Sequence, residues 1–121
     1  MQNTSEDRDA RAQHAIKHFL EHVGFDIIEQ DWSNGSNHFD FIAYDDCCLV
    51  FVDSVVYHSK ELCFPMMSLD REEHEHAALV YLSTHDNVGS GPIRFDCVEL
   101  IAMNETRAFI RFRKNVLGSG D

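Results

Sequence analysis

From His38 to Tyr57 the chain reads HFDFIAYDDCCLVFVDSVVY, two runs dense in aromatic and β-branched residues with the acidic pair Asp45-Asp46 between them. Such residues favour extended backbone, and paired aspartates between two apolar runs mark a tight turn. The pattern predicts strands over 38–44 and 47–57. Just upstream, residues 25–32 mix β-branched and aromatic side chains and stop at Ser33-Asn34-Gly35-Ser36, a cluster of turn formers. This predicts one more strand and a hairpin turn. Three consecutive strands on short turns form an antiparallel meander.

Helical periodicity brackets the meander. Ala12, Ala15, Ile16, Phe19, Leu20 and Val23 recur at spacings of three and four, predicting an amphipathic helix over 9–23 that ends at Gly24. A second helix is expected over 69–84, with Leu69, Ala77, Leu79, Val80 and Leu82 apolar and its first half, DREEHEH, polar. After a glycine-containing loop, residues 93–103 form a long apolar strand. A shorter one follows over 107–112, separated from it by Asn104-Glu105. The order α-β-β-β-α-β-β predicts an α/β class, a mixed β-sheet flanked by helices in a single domain over 1–121, with 1–8 and 117–121 frayed. With 121 residues and 44% of them hydrophobic, such a domain buries roughly two thirds of its unfolded surface and needs no disulfide or metal to fold.

Charge narrows the partners. Twenty-one Asp and Glu against ten Lys and Arg give a net charge of −11, and so acidic a surface repels a polyanion on average. No run approaches a membrane span, and MQNTSEDRDA lacks the basic and apolar regions of a signal peptide, so a cytoplasmic protein without a membrane partner is expected. Cys47, Cys48, Cys63 and Cys97 include no CxxC pair, which predicts reduced, mostly buried thiols. The closing segment RAFIRFRK is the one basic patch. Its Arg107, Arg111, Arg113 and Lys114 suit a polyanion site, a guarded edge strand or self-association as a homodimer.

Two carboxylates carry the most suggestive chemistry. Asp40 and Asp53 fall in successive strands either side of the Asp45-Asp46 turn, and His38 shares a strand face with Asp40. Strand pairing would bring the carboxylates together, where a divalent cation relieves their repulsion. Strand-end placement or satisfying hydrogen bonds would equally explain carboxylates in apolar strands. His14, His18 and His22 lie one turn apart on the polar side of the first helix, a spacing at which two imidazoles can share a transition metal.

These residues also resemble a known family. NHFDFIA followed by LVFVDSV is similar to the two core motifs of the YraN-like predicted endonucleases, typically Gly-Glu-x-Asp-Leu-Ile-Ala and Val-Phe-Val-Glu-Val-Lys. HFLEHVGFDIIEQDW resembles the family's first helix and strand, AALVYL its second helix, and PIRFDCVEL its following strand. The resemblance spans 10–100 and implies a restriction-endonuclease-like fold with a metal-dependent site. In it Asp40 and Asp53 hold magnesium or manganese, and DNA is the partner. The match is incomplete: Val55 occupies the family's lysine position, His38 the first-motif Glu and Gln13 the helix Glu. Valine cannot assist a nucleophile or bind a phosphate, and Lys60, the nearest lysine, lies beyond the strand. The start of the second helix, basic in the family, carries four acids and one base here, Asp70-Arg71-Glu72-Glu73-His74-Glu75-His76. The expectation is a degenerate endonuclease with little or no cleavage, retained as a binding or interaction module. The other readings are a metal-dependent DNA endonuclease with an atypical site of Asp40, Asp53, His38 and Gln13, and a metal-responsive protein using its histidines.

Overall fold

The computed structural model describes residues 4–57, 70–88, 91–104 and 106–117. Helix α1 (Thr4–His22) buries Ala12, Ile16 and Leu20, one stripe at i, i+4, i+8. It begins inside the stretch 1–8 whose sequence predicts fraying; residues 1–3 and 118–121 lie outside the described residues. Gly24 ends it with φ +102°. The Phe25 N–H donates to Leu20 O at 3.0 Å and the Gly24 N–H to Glu21 O at 3.1 Å, a Schellman pair that satisfies the last carbonyls. Val23 falls past the turn and stays exposed, although the periodicity places it on the core face.

The chain then forms β1 (Asp26–Asn34), β2 (Asn37–Asp45) and β3 (Cys48–Tyr57), an antiparallel meander. The first turn is tighter than the sequence suggests, and the second is shifted by one residue. Asn34 pairs with Asn37 around Gly35-Ser36, and Asp45 pairs with Cys48 around Asp46-Cys47, with Asp46 at φ +55°. Cys47 therefore leaves the strand and is exposed.

Helix α2 (Arg71–Thr84) crosses over to β4 (Ile93–Ala102), which lies parallel to β3, and β5 (Ala108–Arg113) returns antiparallel at the edge. The result is a five-stranded mixed sheet in the order β1-β2-β3-β4-β5, flanked by two helices. The core divides into two clusters, with alternation broken in β2, where Phe39 and Phe41 fall in different ones. Phe41, Ala43, Val50, Val52, Val98 and Leu100 meet α1 on one face. On the other, Phe39, Ile42, Leu49, Phe51 and Phe95 meet Ala77, Ala78 and Tyr81 of α2.

Helix α2 turns a face to the sheet that its apolar pattern does not predict: Leu79 is 65% exposed, and the buried residues are Ala77, Ala78 and Tyr81. Asp70 caps the helix by accepting from the Glu73 N–H at 3.2 Å. At the far end His85 stacks on Tyr81 and its Nε2 meets Glu29 Oε1 at 3.2 Å, tying the helix to β1. Leu69, Cys63 and Lys60 lie outside the described residues.

Charges lock the sheet's lower end. Arg94 donates from Nε and Nη2 to the two oxygens of buried Asp96 at 2.9 and 2.8 Å, and from Nη2 to Asp45 Oδ2 at 2.9 Å. Asp96 Oδ1 also accepts from the Asn115 N–H at 2.8 Å, so one buried carboxylate joins β4, the β2–β3 turn and the segment after β5.

Candidate functional site

Asp40 and Asp53 would be the next partners in the β2–β3 ladder, which runs from Asp45↔Cys48 to Phe41↔Val52 and stops there. Asp40 replaces the ladder with its side chain. Its Oδ2 accepts from the Ser54 N–H at 2.7 Å and from the Ser54 Oγ–H at 2.9 Å. Gln13 of α1 donates from Nε2 to the same Ser54 Oγ at 3.2 Å. Across the other edge of β2, the register leaves Asp31 opposite Asp40, with Asp31 in the left-handed region at φ +53°. His38 closes the cluster: its Nε2 is 2.8 Å from Asp31 Oδ1 and 3.8 Å from Asp40 Oδ1.

Burial raises the Asp40 carboxyl above its usual range, the hydrogen bonds from Ser54 and the nearby His38 pull it back, and the charge of Asp53 pushes it up again. Ser54, Asp40 and Gln13 thus form one hydrogen-bonded group at the α1 side of the sheet. Ser54 and Asp31 were not singled out by the sequence.

Asp53 goes the other way. Ser54 and Asp53 are consecutive in β3, so their side chains leave opposite faces. Asp53 Oδ2 meets Nε2 of His74, in the first turn of α2, at 2.5 Å. The His74 Nδ1 lies 2.8 Å from the Asp70 carbonyl oxygen. A carbonyl and a carboxylate both accept, so the two contacts favour a ring that donates from both nitrogens. The hydrogen bond to Asp53 raises the His74 pKa most, burial opposes it, and Asp70 and Glu73 add to the rise. Phe39 and Phe95 sit edge-on to the ring, with centroids 6.1 and 5.9 Å away.

An open groove of about 380 Å³ runs over this pair, between the β1–β2 turn and the start of α2. Asn37, His38, Asp53, Glu73, His74 and His76 contribute to its walls. His74 is a residue that the sequence marks only as part of the polar segment DREEHEH. It stands on one i, i+3, i+4, i+7 stripe with the buried Ala77, Ala78 and Tyr81.

The two carboxylates expected to share a cation therefore each engage a separate partner, Ser54 for Asp40 and His74 for Asp53. Among the described residues no group of three or more His, Cys, Asp or Glu side chains stands where it could hold a metal ion together. Val55, two residues after Asp53, supplies no side-chain donor. A magnesium or manganese ion at Asp40 and Asp53 would have to compete with Ser54 and His74 for these carboxylates.

The basic segment is also committed elsewhere. Arg111 Nε donates to Glu99 Oε1 at 2.9 Å, and Arg113 Nε lies 3.2 Å from the same oxygen. Lys114 Nζ is 3.5 Å from Asp45 Oδ2, and Arg107 is exposed. Glu99 is fully buried, and its Oε2 has no hydrogen-bond partner among the described residues. No protein-family model matches the chain, and no curated protein matches it.

Proposed function

We propose that the chain is a divergent domain of the YraN-like, restriction-endonuclease-like kind that has lost phosphodiester cleavage and persists as a binding or interaction module. What carries this reading is the closure of both acidic positions. Asp40 Oδ2 accepts twice from Ser54 and Asp53 Oδ2 is paired with His74, while the neighbouring position that would need a lysine holds Val55. A nuclease centre requires carboxylates open to metal and a cation or donor at the transferring phosphate. Here the carboxylates hold the sheet and α2 together. The order α-β-β-β-α-β-β and the parallel β3–β4 crossover support the fold half of the proposal.

The test is incubation of the purified protein with duplex and branched DNA in magnesium or manganese, alongside the double variant Asp40→Asn, Asp53→Asn. The expected outcome is no cleavage above the level of that variant. Metal-dependent cleavage that disappears in the variant would return the site to the enzymes and overturn the proposal.

A further inference from the structure

The outer face of α1 carries His14, His18 and His22 one turn apart, all three exposed, while the opposite face holds the core residues Ala12, Ile16 and Leu20. The His14 and His18 rings stand with centroids 4.6 Å apart and planes at 63°. A metal ion bound by an imidazole nitrogen lies about 2.0–2.1 Å from that nitrogen and so roughly 3.2 Å from the ring centre. Ring centres 4.6 Å apart then subtend about 90° at a shared ion. A right angle suits square-planar and octahedral ions, whereas the tetrahedral angle of zinc would need the rings further apart. Both side chains are on the surface, so aiming the nitrogens needs only rotation about terminal torsions.

We propose that His14 and His18 form a two-imidazole chelate for a divalent transition metal of the nickel or copper class, with water completing the coordination. The water follows from the absence, among the described residues, of any larger group of ligating side chains. The net charge of −11 draws cations to the molecule and offsets the nearby Arg11 and Lys17, and Glu21 adds a carboxylate one turn beyond His18. His22 repeats the spacing from His18 but shows no ring contact of the His14–His18 kind, so it is the weaker second arm. The site lies on α1 and owes nothing to Asp40 or Asp53.

Ni2+ alone is the appropriate probe, because thiols such as exposed Cys47 would reduce Cu2+. Calorimetric titration at neutral pH of the wild type and the variants H14Q, H18Q and H22Q separates the outcomes. H18Q removes the ring common to both pairs and is expected to lower Ni2+ affinity at least about tenfold. H14Q should weaken binding more than H22Q, and Zn2+ should bind the wild type less tightly than Ni2+. Saturating Ni2+ should also raise the melting temperature of the wild type but not of H18Q. Because the three positions are exposed, the variants should keep the wild-type circular dichroism spectrum. Affinity that survives H18Q, equal losses in H14Q and H22Q, or no binding by the wild type below about millimolar Ni2+ would each overturn the proposal.

Discussion

The His74 ring faces an acceptor at each nitrogen, so its proton is part of what fixes the first turn of α2 to β3. Its pKa is raised in the folded protein, chiefly by Asp53, above the ordinary value of 6.5. A raised histidine contributes stability that is complete below about pH 6.5 and is lost as pH climbs through the folded-state value. Glu72, Glu73, Asp70, His76 and His38 surround the pair. Urea denaturation at a series of pH values from about 6 to 9 should therefore show a decline in the wild type that His74→Gln lacks. The variant should lose about 1 kcal/mol at the acidic end and little at the alkaline end, because the pair is partly exposed. Equal slopes in the two proteins would mean that the pair contributes nothing. Arg94 is the harsher case: Arg94→Met leaves Asp96, which is 2% exposed, without its main counter-charge. The expected cost is about 3–5 kcal/mol, read as a lower urea midpoint.

At the scale of elements, two glycines end segments for different physical reasons, and alanine separates them. Gly24 has φ +102° and open space where a Cβ would go, so Gly24→Ala should cost about 1–2 kcal/mol from the backbone alone. At Gly91 a Cβ would stand 2.8 Å from the Cys47 carbonyl oxygen, so Gly91→Ala must push the strand-entry segment away from the β2–β3 turn. It should cost about 1–3 kcal/mol, as overpacking does. In thermal denaturation, equal melting temperatures for wild type and Gly91→Ala would contradict that contact. The sequence made α1, its terminating glycine and the three meander strands legible, because their patterns each have one solution. Helix α2 was ambiguous: Leu79, Val80 and Leu82 crowd its second half on several faces, so periodicity alone could not select the Ala77, Ala78 and Tyr81 stripe. In the candidate site Asp40, Asp53, His38 and Gln13 were legible as unusual residues, and Gln13 does reach the Asp40 group through Ser54. Their partners were not, because the end of the β2–β3 ladder and the side each carboxylate takes depend on pairing between distant segments.

For the whole molecule, charge placement matters more than the total. The four cations of the last strand and its exit were the only concentrated positive charge in the sequence, yet Arg111 and Arg113 turn to buried Glu99 and Lys114 to Asp45. A phosphate backbone would have to compete with carboxylates already in contact, against a net charge of −11. Nonspecific DNA affinity at about 150 mM salt should then be weaker than the roughly 1–100 μM usual for DNA-binding proteins. Replacing Arg107, Arg111, Arg113 and Lys114 with glutamine should change stability before it changes binding, because Glu99 loses both of its arginine partners. In a paired experiment, the quadruple variant should melt at a clearly lower temperature while its fluorescence anisotropy titration with duplex DNA stays as flat as that of the wild type. Sedimentation of both proteins at low and high salt tests the homodimer reading alongside. A dimer held by these cations against acidic faces such as Glu72, Glu73 and Glu75 would dissociate in the variant and in salt. Submicromolar DNA binding that survives the four substitutions would mean that the positive surface lies elsewhere and that the acidic total misrepresents the binding face.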